Sequence, residues 1–468
     1  MAAAQCPQVT TQIADRRVPE VELGSEVTAQ VDGTGTEVAN AVTCRLMASG
    51  PLQNPLIENK YRMEGLTMTT KSADEFLAAL ADELAISDAR YDQACRSYAS
   101  LGSWLHRPES TVVRYDPQVY VQGSFRLGTA IRPLNEEEEY DVDSVCELRL
   151  LGTGDMSQRA LKKLVGDEIK AYRVSQSMVK PVTEGKRCWV LSYSDGAQFH
   201  MDIVPAVPNS ARQRVLLEAR GLDLRLSNTA IVITDTRSPT YQVVSDDWQR
   251  SNPKGYAEWF RLRMGPIFER KRRVLAESTR ASVEDIPEYR VRTPLQSAIM
   301  ILKRHRDGMF ADRYDERPIS VIVTTLAAHA YSGEEKISDA LYAILANMDR
   351  FIERDGQRCI IRNPSDPFEN FADKWPTHPE RQAAFFEWLE QARYYFVQLA
   401  QQIERRRLVE SVAPRMGRVA EKAAARMDPP SGSMLRPAAS AAIIGTGVAS
   451  APAFPNTRRE PTSPKGFA

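Results

Sequence analysis

Hydrophobic residues recur at helical spacing in the first well-patterned part of the chain, residues 72–104. The apolar positions on that repeat are Phe76, Leu77, Leu80, Leu84, Tyr91, Cys95, Tyr98 and Leu101. A 3.6-residue period of this kind predicts helix. Ser72 with Glu75 three residues later predicts a capping box at its start. Residues 1–65 show no sustained period and are predicted to be a disordered extension.

The pattern then changes to the alternation that is typical of strands. Residues 112–115, 119–122, 187–194 and 199–204 alternate in this way, and Ser194 to Ala197 reads as a hairpin turn. Residues 156–173 return to helical spacing and are expected to carry lysines 162, 163 and 170 on their surface. This order of strands and helices predicts a mixed α/β lobe that ends near residue 240.

From about residue 253 the period is helical again. Helices are predicted over 254–281, 292–308, 318–332, 336–353 and 380–412. We therefore expect an α+β protein with two lobes, a mixed-sheet lobe packed on a helical lobe. The expected domains are an extension (1–65), a mixed-sheet lobe that includes the first helix (66–250), a helical lobe (251–412) and a disordered tail rich in proline and alanine (413–468).

Charge and cysteine content narrow the class of protein. The 468 residues carry 61 basic and 61 acidic side chains, so the basic excess of a constitutive nucleic-acid binder is missing. Mononucleotide substrates are favoured over a long polymer. The six cysteines include no Cys-x-x-Cys pair, and no apolar run of about 18 residues is present. We expect a soluble cytoplasmic protein without disulfides or a membrane span.

Two neighbouring motifs carry the candidate chemistry. Gln122, Gly123 and Ser124 follow a predicted strand and offer backbone N–H groups in a turn at a helix start, which suits a phosphate. Asp141 and Asp143 alternate across one residue, so on a strand both carboxylates lie on the same face. Two such carboxylates repel each other unless a divalent cation lies between them. A phosphate turn beside a metal-binding pair predicts nucleotide chemistry.

A third acid is available downstream. Asp202 lies in an apolar strand-like run, where an unpaired carboxylate is costly. The plainer alternative is that Asp141 and Asp143 continue the solvated acidic loop of Glu136–Glu139. The apolar residues around the pair argue against that alternative; they are Val142, Val145 and Leu148.

The order of these motifs resembles the nucleotidyltransferases of the polymerase-beta superfamily, in which Gly-Ser precedes Asp-x-Asp and a third strand acid. Four further segments narrow the resemblance: 251–260 (SNPKGYAEWF), 295–307 (LQSAIMILKRHRD), 318–328 (PISVIVTTLAA) and 369–375 (ENFADKW). Together they look like the bacterial cGAS-like nucleotidyltransferases, the cyclic oligonucleotide synthases of CBASS anti-phage defence. The resemblance covers residues 72 to 412.

The resemblance implies a two-lobed enzyme that joins NTPs into a cyclic di- or trinucleotide and releases pyrophosphate. Asp141, Asp143 and Asp202 would hold Mg²⁺, with Mn²⁺ as a substitute. Gln122, Gly123 and Ser124 would cradle the donor triphosphate. ATP is the first expected substrate, with GTP, UTP and CTP as others.

Three further residues are implied more weakly. Lys303 and Ser320 match positions that contact a triphosphate in the family, and Arg187 lies near Asp202 along the chain. The alternatives are a surface pair of Lys303 with Asp307, a helix cap by Ser320, and a solvated strand residue at Arg187. His200 is interpreted as structural, on the strand face opposite Asp202.

Two other functions stay open. A template-independent transferase that acts on RNA or a small acceptor would share the same catalytic lobe. A nucleotide-binding protein without catalysis is disfavoured by the presence of all three acids. The family also implies an effector that reads the product and, for some members, a ubiquitin-transfer-like enzyme that acts on the C-terminus. The tail that ends in Lys465–Ala468 suits such conjugation sterically.

Overall fold

A computed structural model describes residues 70–133, 139–193, 199–279, 291–402 and 404–427. The predicted extension (1–65), the turn at 194–197 and the tail beyond residue 427 lie outside the described residues. Within the described ranges, no helix is both long and apolar enough to cross a membrane.

Twelve helices are numbered here in chain order within the described ranges. They are α1 (Lys71–Leu84), α2 (Asp88–Leu105), α3 (Gly123–Arg126), α4 (Gln158–Ser175), α5 (Ser210–Glu218), α6 (Pro253–Thr279), α7 (Pro294–Met309), α8 (Ser320–Ala330), α9 (Ile337–Asn347), α10 (Pro379–Ala400), α11 (Arg405–Met416) and α12 (Arg418–Met427). The strands are β1 (Pro117–Val121), β2 (Tyr140–Leu148), β3 (Thr183–Glu184), β4 (Trp189–Tyr193), β5 (Phe199–Pro208), β6 (Ile231–Ile233), β7 (Gln249–Ser251), β8 (Glu353–Asp355), β9 (Arg358–Ile360), β10 (Arg362–Asn363) and β11 (Asp366–Asn370).

The first predicted helix is two helices. The chain leaves helical geometry at Ala85, whose φ of −68° and ψ of 145° are extended, and α2 begins at Asp88. The predicted capping box is wrong, because α1 starts one residue before Ser72. Its N-cap is Thr70, whose hydroxyl accepts a hydrogen bond from the N–H of Ala73 at 3.2 Å.

The mixed sheet has seven strands and is built around β2 and β5. Its order is β1-β2-β5-β4-β3, and β6 and β7 continue from β5. β2 and β5 run parallel, whereas the other pairs in this sheet are antiparallel. Residues 113–115, predicted as strand, form a 3-10 turn instead, which Asp116 ends in left-handed geometry with φ of 52°.

One face of the sheet carries the core of this part of the chain. Alternate residues of β1, β2 and β5, such as Val119, Val142 and Met201, pack there with buried residues of α2 and α4. Lys162 of α4 is fully buried, so its prediction as a surface lysine is wrong. Its ammonium group donates to the carbonyl of Lys186 at 3.1 Å and lies 3.3 Å from the Glu184 carboxylate.

The second large core joins α1 to α6 and the helices that follow it. α7 is buried along most of its length, from Pro294 to Arg306. The predicted helix over 380–412 is two helices, α10 and α11. The chain also stays helical beyond residue 412, since α12 ends at Met427 and packs against α1, with Arg426 2.5 Å from Glu83. Residues 413–427, predicted as tail, therefore belong to the helical core.

Candidate active site

The Gly-Ser turn follows β1 and leans against the start of β2. The backbone N–H of Gln122 donates to the carbonyl of Asp143 at 2.8 Å. Gly123 has a φ of 62°, and a Cβ added to it would lie 2.3 Å from Oδ2 of Asp143. Ser124 is half-buried in the short helix α3, and its carbonyl accepts from the N–H of Thr129 at 2.9 Å. The turn and the Asp143 carboxylate are thus in direct contact.

Strand register brings the three aspartates together. In the parallel pair β2–β5, Asp143 lies opposite Asp202 and Asp141 lies opposite His200. Because side chains alternate along a strand, Asp141 and Asp143 share the face that also carries Asp202. The Asp141 side chain is 66% exposed and that of Asp202 is 28% exposed. Three carboxylates therefore meet at one end of two neighbouring strands.

Without a cation, ionisation of all three aspartates at this end of the sheet is unfavourable. Burial, together with the charges of Asp141 and Asp202, raises the pKa of Asp143 to about 7. Burial also raises the pKa of Asp202, although the neighbouring His200 opposes this shift. The buried Oδ1 of Asp202 accepts no hydrogen bond from the described residues. An added cation would relieve both the repulsion and the unsatisfied oxygen.

The donor set fits a hard divalent cation, but the arrangement is not yet that of a bound ion. Carboxylate oxygens are the ligands that Mg²⁺ prefers. Within the described ranges, no three side chains of the ligating types stand in positions that would hold an ion. The Asp141 carboxylate instead accepts from Nε2 of His200 at 2.9 Å. The residues thus match Mg²⁺ in chemistry.

His200 lies on the same strand face as Asp202, so its placement on the opposite face was wrong. Residues two apart on a strand share a face, and the sequence alone contained this information. Nε2 of His200 lies 3.8 Å from Oδ1 of Asp202 as well as 2.9 Å from Asp141. The hydrogen bond to Asp141 raises the pKa of His200, and burial partly offsets that shift.

Lys303 reaches from α7 to the segment that follows the Gly-Ser turn. Its ammonium group donates to the carbonyl of Thr129 at 3.1 Å, and the side chain is buried. The alternative of a surface pair with Asp307 is therefore wrong; Asp307 instead pairs with Arg306 at 2.7 Å and Arg317 at 3.0 Å. Burial lowers the pKa of Lys303 to about 7, against the pull of Asp307 and Asp143.

Lys303 is one of three α7 side chains that hold this segment. Nε2 of Gln296 donates to the carbonyl of Leu127 at 2.9 Å. The guanidinium of Arg304 donates to the carbonyl of Arg132 and, at 3.2 Å, to that of Pro133. α7 is thereby bonded to residues 127–133 along several turns.

Ser320 and Arg187 have other partners. Ser320 is the first residue of α8 rather than its cap, which is Ile319, and its exposed hydroxyl accepts from Arg306 at 2.9 Å. Arg187 precedes β4 and donates to Asp235 at 2.8 Å. The structure thus gathers the turn, the three aspartates and Lys303 in one region, and it gives Ser320 and Arg187 protein partners.

Two side chains beside the aspartates were not singled out as site residues from the sequence. The Cys188 thiol donates to Oδ2 of Asp202 at 3.5 Å. The carbonyl of Thr129 accepts a hydrogen bond from the Lys303 ammonium group. The sequence pattern gives no sign that Cys188 lies near an aspartate. The contact becomes visible only when β4 is paired with β5.

Comparison with known proteins shows which proteins the chain is similar to. Residues 117–205, which include the Gly-Ser turn and all three aspartates, match the model of the nucleotidyltransferase domain of cyclic GMP-AMP synthase DncV-like proteins. A c-di-GMP synthase of Roseivirga ehrenbergii is 27% identical over 319 residues, which cover 68% of this chain and 76% of that protein. The cyclic dinucleotide synthase CdnG of Bradyrhizobium diazoefficiens is 27% identical over 327 residues, 67% of this chain and 72% of that protein.

The fold has a counterpart among solved structures. The CD-NTase CdnG of Bradyrhizobium diazoefficiens, solved in complex with GTP, matches with a TM-score of 0.58 and 22% identity, over 76% of this chain and 98% of that chain. The predicted α+β fold class is confirmed.

Proposed function

We propose that the chain is a bacterial cGAS-like nucleotidyltransferase, which joins NTPs into a cyclic di- or trinucleotide and releases pyrophosphate. The observation that carries the proposal is the register of β2 against β5. It places Asp143 opposite Asp202, with Gly123 packed on the Asp143 carboxylate. The turn that we propose to bind the donor phosphates thus contacts one of the aspartates that would hold Mg²⁺.

Each residue has a defined task in this proposal. Asp141, Asp143 and Asp202 would hold Mg²⁺, for which Mn²⁺ is a substitute; when bound, the ions activate the attacking hydroxyl and neutralise charge on the triphosphate. The N–H groups of Gly123 and Ser124 and the Ser124 hydroxyl would orient the donor phosphates, since the Gln122 N–H already donates to the carbonyl of Asp143. Lys303, whose pKa of about 7 leaves it partly protonated at neutral pH, would bring an ammonium group next to the turn, where it contacts Thr129. Arg187 and Ser320 would approach a nucleotide only by exchanging their present partners, Asp235 and Arg306.

The biological role that we propose is anti-phage (CBASS) defence. The cyclic product would activate a separate effector, and a ubiquitin-transfer-like enzyme would act on the C-terminal residues. ATP is the first substrate to test, followed by GTP, UTP and CTP. The relatives named as a c-di-GMP synthase and as CdnG make GTP a substrate of equal interest.

The product identifies the reaction. The full chain is incubated with all four NTPs and Mg²⁺, then treated with phosphatase and an exonuclease, and the remaining nucleotides are identified by mass spectrometry. A cyclic product survives, because it has neither a terminal phosphate nor a chain end. Products that all become dephosphorylated, or label that appears only on added RNA or another acceptor, would contradict cyclisation and support the alternative transferase.

The first prediction concerns the Ser124 hydroxyl. Ser124→Ala should raise the KM for NTP by about 10- to 100-fold, because a hydrogen bond to a charged phosphate is worth about 1.5–3 kcal/mol. The effect stays moderate since the backbone N–H groups of the turn remain. Steady-state kinetics over an NTP titration measure it. Ser175→Ala, at the end of α4, is the control, because its hydroxyl donates only to the nearby carbonyl of Tyr172. An unchanged KM in Ser124→Ala would remove the hydroxyl from the phosphate site.

The second prediction concerns the Lys303 ammonium. Lys303→Met keeps the apolar stem but removes the charge, so we expect KM for NTP to rise about tenfold or more and cyclic product to fall. The exposed Lys163, which pairs with Asp167 on α4, provides the matched control Lys163→Met. Kinetics on a folded variant, checked by thermal melting, decide the point. Wild-type KM in Lys303→Met would mean that this lysine serves only to hold the Thr129 carbonyl.

A further inference from the structure

A chain of charged side chains leads from the protein surface to Asp141. The Lys180 ammonium contacts Oε1 of Glu139. The other oxygen of that carboxylate, Oε2, lies 3.5 Å from Nδ1 of His200. Nε2 of the same ring lies 2.9 Å from Oδ1 of Asp141. Both ring nitrogens therefore face a carboxylate, and the orientation of the imidazole is set from both sides.

Of the three aspartates, Asp141 has the side chain that is least confined by packing. Asp143 is confined because its carboxylate packs on Gly123. Asp202 is more buried than Asp141 and accepts from the Cys188 thiol. The Asp141 side chain is about two-thirds exposed near the start of strand β2, where it has room to change rotamer. Fixing such a side chain costs conformational entropy each time a ligand binds.

We propose that His200 is a positioning residue, which holds the Asp141 carboxylate on the face of Asp143 and Asp202, and that Glu139 and Lys180 fix the ring that does so. This inference rests on the proposed function, since it assigns a support to the same metal site. Groups that hydrogen-bond a ligating side chain hold it in position before the metal binds. Their loss commonly weakens metal binding by 10- to 100-fold.

The geometry favours support over direct ligation. Nε2 is nearer to Asp141 (2.9 Å) than to Asp202 (3.8 Å), so its hydrogen is directed to the Asp141 oxygen. The second oxygen of Asp141 is left for an ion. Nδ1 faces Glu139, so neither nitrogen of the His200 ring offers a free lone pair to an ion in the site.

The test measures metal binding rather than turnover. Mn²⁺ alone is titrated into the full chain at fixed pH, and free Mn²⁺ is followed by its electron paramagnetic resonance signal. His200→Asn places its amide where Nδ1 was and cannot reach Asp141, so we expect about tenfold weaker binding. His200→Gln places its amide nitrogen near the position of Nε2 and should restore most of the affinity.

Two further variants complete the design. His378→Asn is the matched control, because His378 pairs with Glu380 at 3.0 Å on the exposed start of α10; its Mn²⁺ affinity should equal that of the wild type. Lys180→Met, at a half-exposed position, frees Glu139 and should weaken Mn²⁺ binding in the same direction, even where His200→Asn fails to fold.

The outcomes separate this inference from the proposed function. Weaker Mn²⁺ binding in His200→Asn with recovery in His200→Gln supports the positioning role, whatever product the enzyme makes. Unchanged or tighter binding in His200→Asn, or no Mn²⁺ binding by the wild type, overturns it. Absence of a cyclic product from the wild type, with the Mn²⁺ results as expected, would overturn the proposed function and leave the role of His200 intact.

Discussion

Asp143→Asn should fold and yet lose nucleotidyl transfer by at least about a hundredfold, since a bound metal supplies several kcal/mol to such a reaction. Asp143 is the carboxylate in contact with the Gly-Ser turn and lies opposite Asp202 in the sheet. The amide keeps the shape of the side chain but lacks the negative charge that holds a cation. Product formation from NTPs with Mg²⁺, measured by radiolabel, gives the loss.

The same variant should gain stability above neutral pH. Asp143 titrates at about pH 7 in the folded protein, mainly because of burial, and near pH 4 when unfolded. The folded state thus holds a proton that the unfolded state releases, so wild-type stability falls from pH 4 to pH 7 and the cost is complete above pH 7. Asp143→Asn removes that cost, on the order of 2 to 4 kcal/mol at pH 8, and the gain should vanish towards pH 4.

The control for both measurements is Asp167→Asn on the exposed face of α4, where only the pair with Lys163 is lost. It should change neither turnover nor the dependence of the melting temperature on pH. Turnover near wild type in Asp143→Asn would remove this residue from the proposed metal site. A melting temperature that drops at pH 8 would show that the buried charge is stabilised by groups other than those described.

Gly123→Ala should also abolish product formation, for a steric reason. A Cβ at this position would lie 2.3 Å from Oδ2 and 3.2 Å from Cγ of Asp143, so either the turn or the carboxylate must move. The residue also has a φ of 62°, which costs a residue with a side chain roughly 1–2 kcal/mol. We expect a loss of activity of at least about a hundredfold, as displacement of a reacting group by about 1 Å costs that much.

Gly221→Ala separates strain from displacement. Gly221 has nearly the same φ, 63°, but a Cβ there would meet no atom within 4 Å. Both variants should lose about 1–2 kcal/mol of stability from the backbone, and only Gly123→Ala should lose activity. Equal turnover in the two variants, measured under identical NTP and Mg²⁺ concentrations, would mean that close packing of the turn on Asp143 is not needed.

Local patterns were sufficient to predict most of the elements around the site. The alternation across Val142 and the apolar run around Asp202 predicted strands, and both are strands, β2 and β5. The resemblance of residues 122–202 to a nucleotidyltransferase is confirmed by the family match over 117–205. The roles of the individual site residues stay predictions until the variants above are measured.

Other features depend on partners that are distant in sequence. Lys303 looks like half of an i,i+4 pair with Asp307, but the packing of α7 buries it against Thr129. The Cys188–Asp202 contact exists because β4 pairs with β5. Helix breaks such as that at Ala85 follow from local backbone geometry that the apolar period does not encode.

The bonds between α7 and residues 127–133 have a consequence for building chimaeras from two relatives. Gln296, Lys303 and Arg304 each donate to a carbonyl of that segment, so the identity of the α7 side chains must suit the path of a backbone far away in sequence. A crossover placed at the apparent boundary near residue 250 would separate the two. A hybrid enzyme should therefore inherit residues 117–133 and α7 from the same parent.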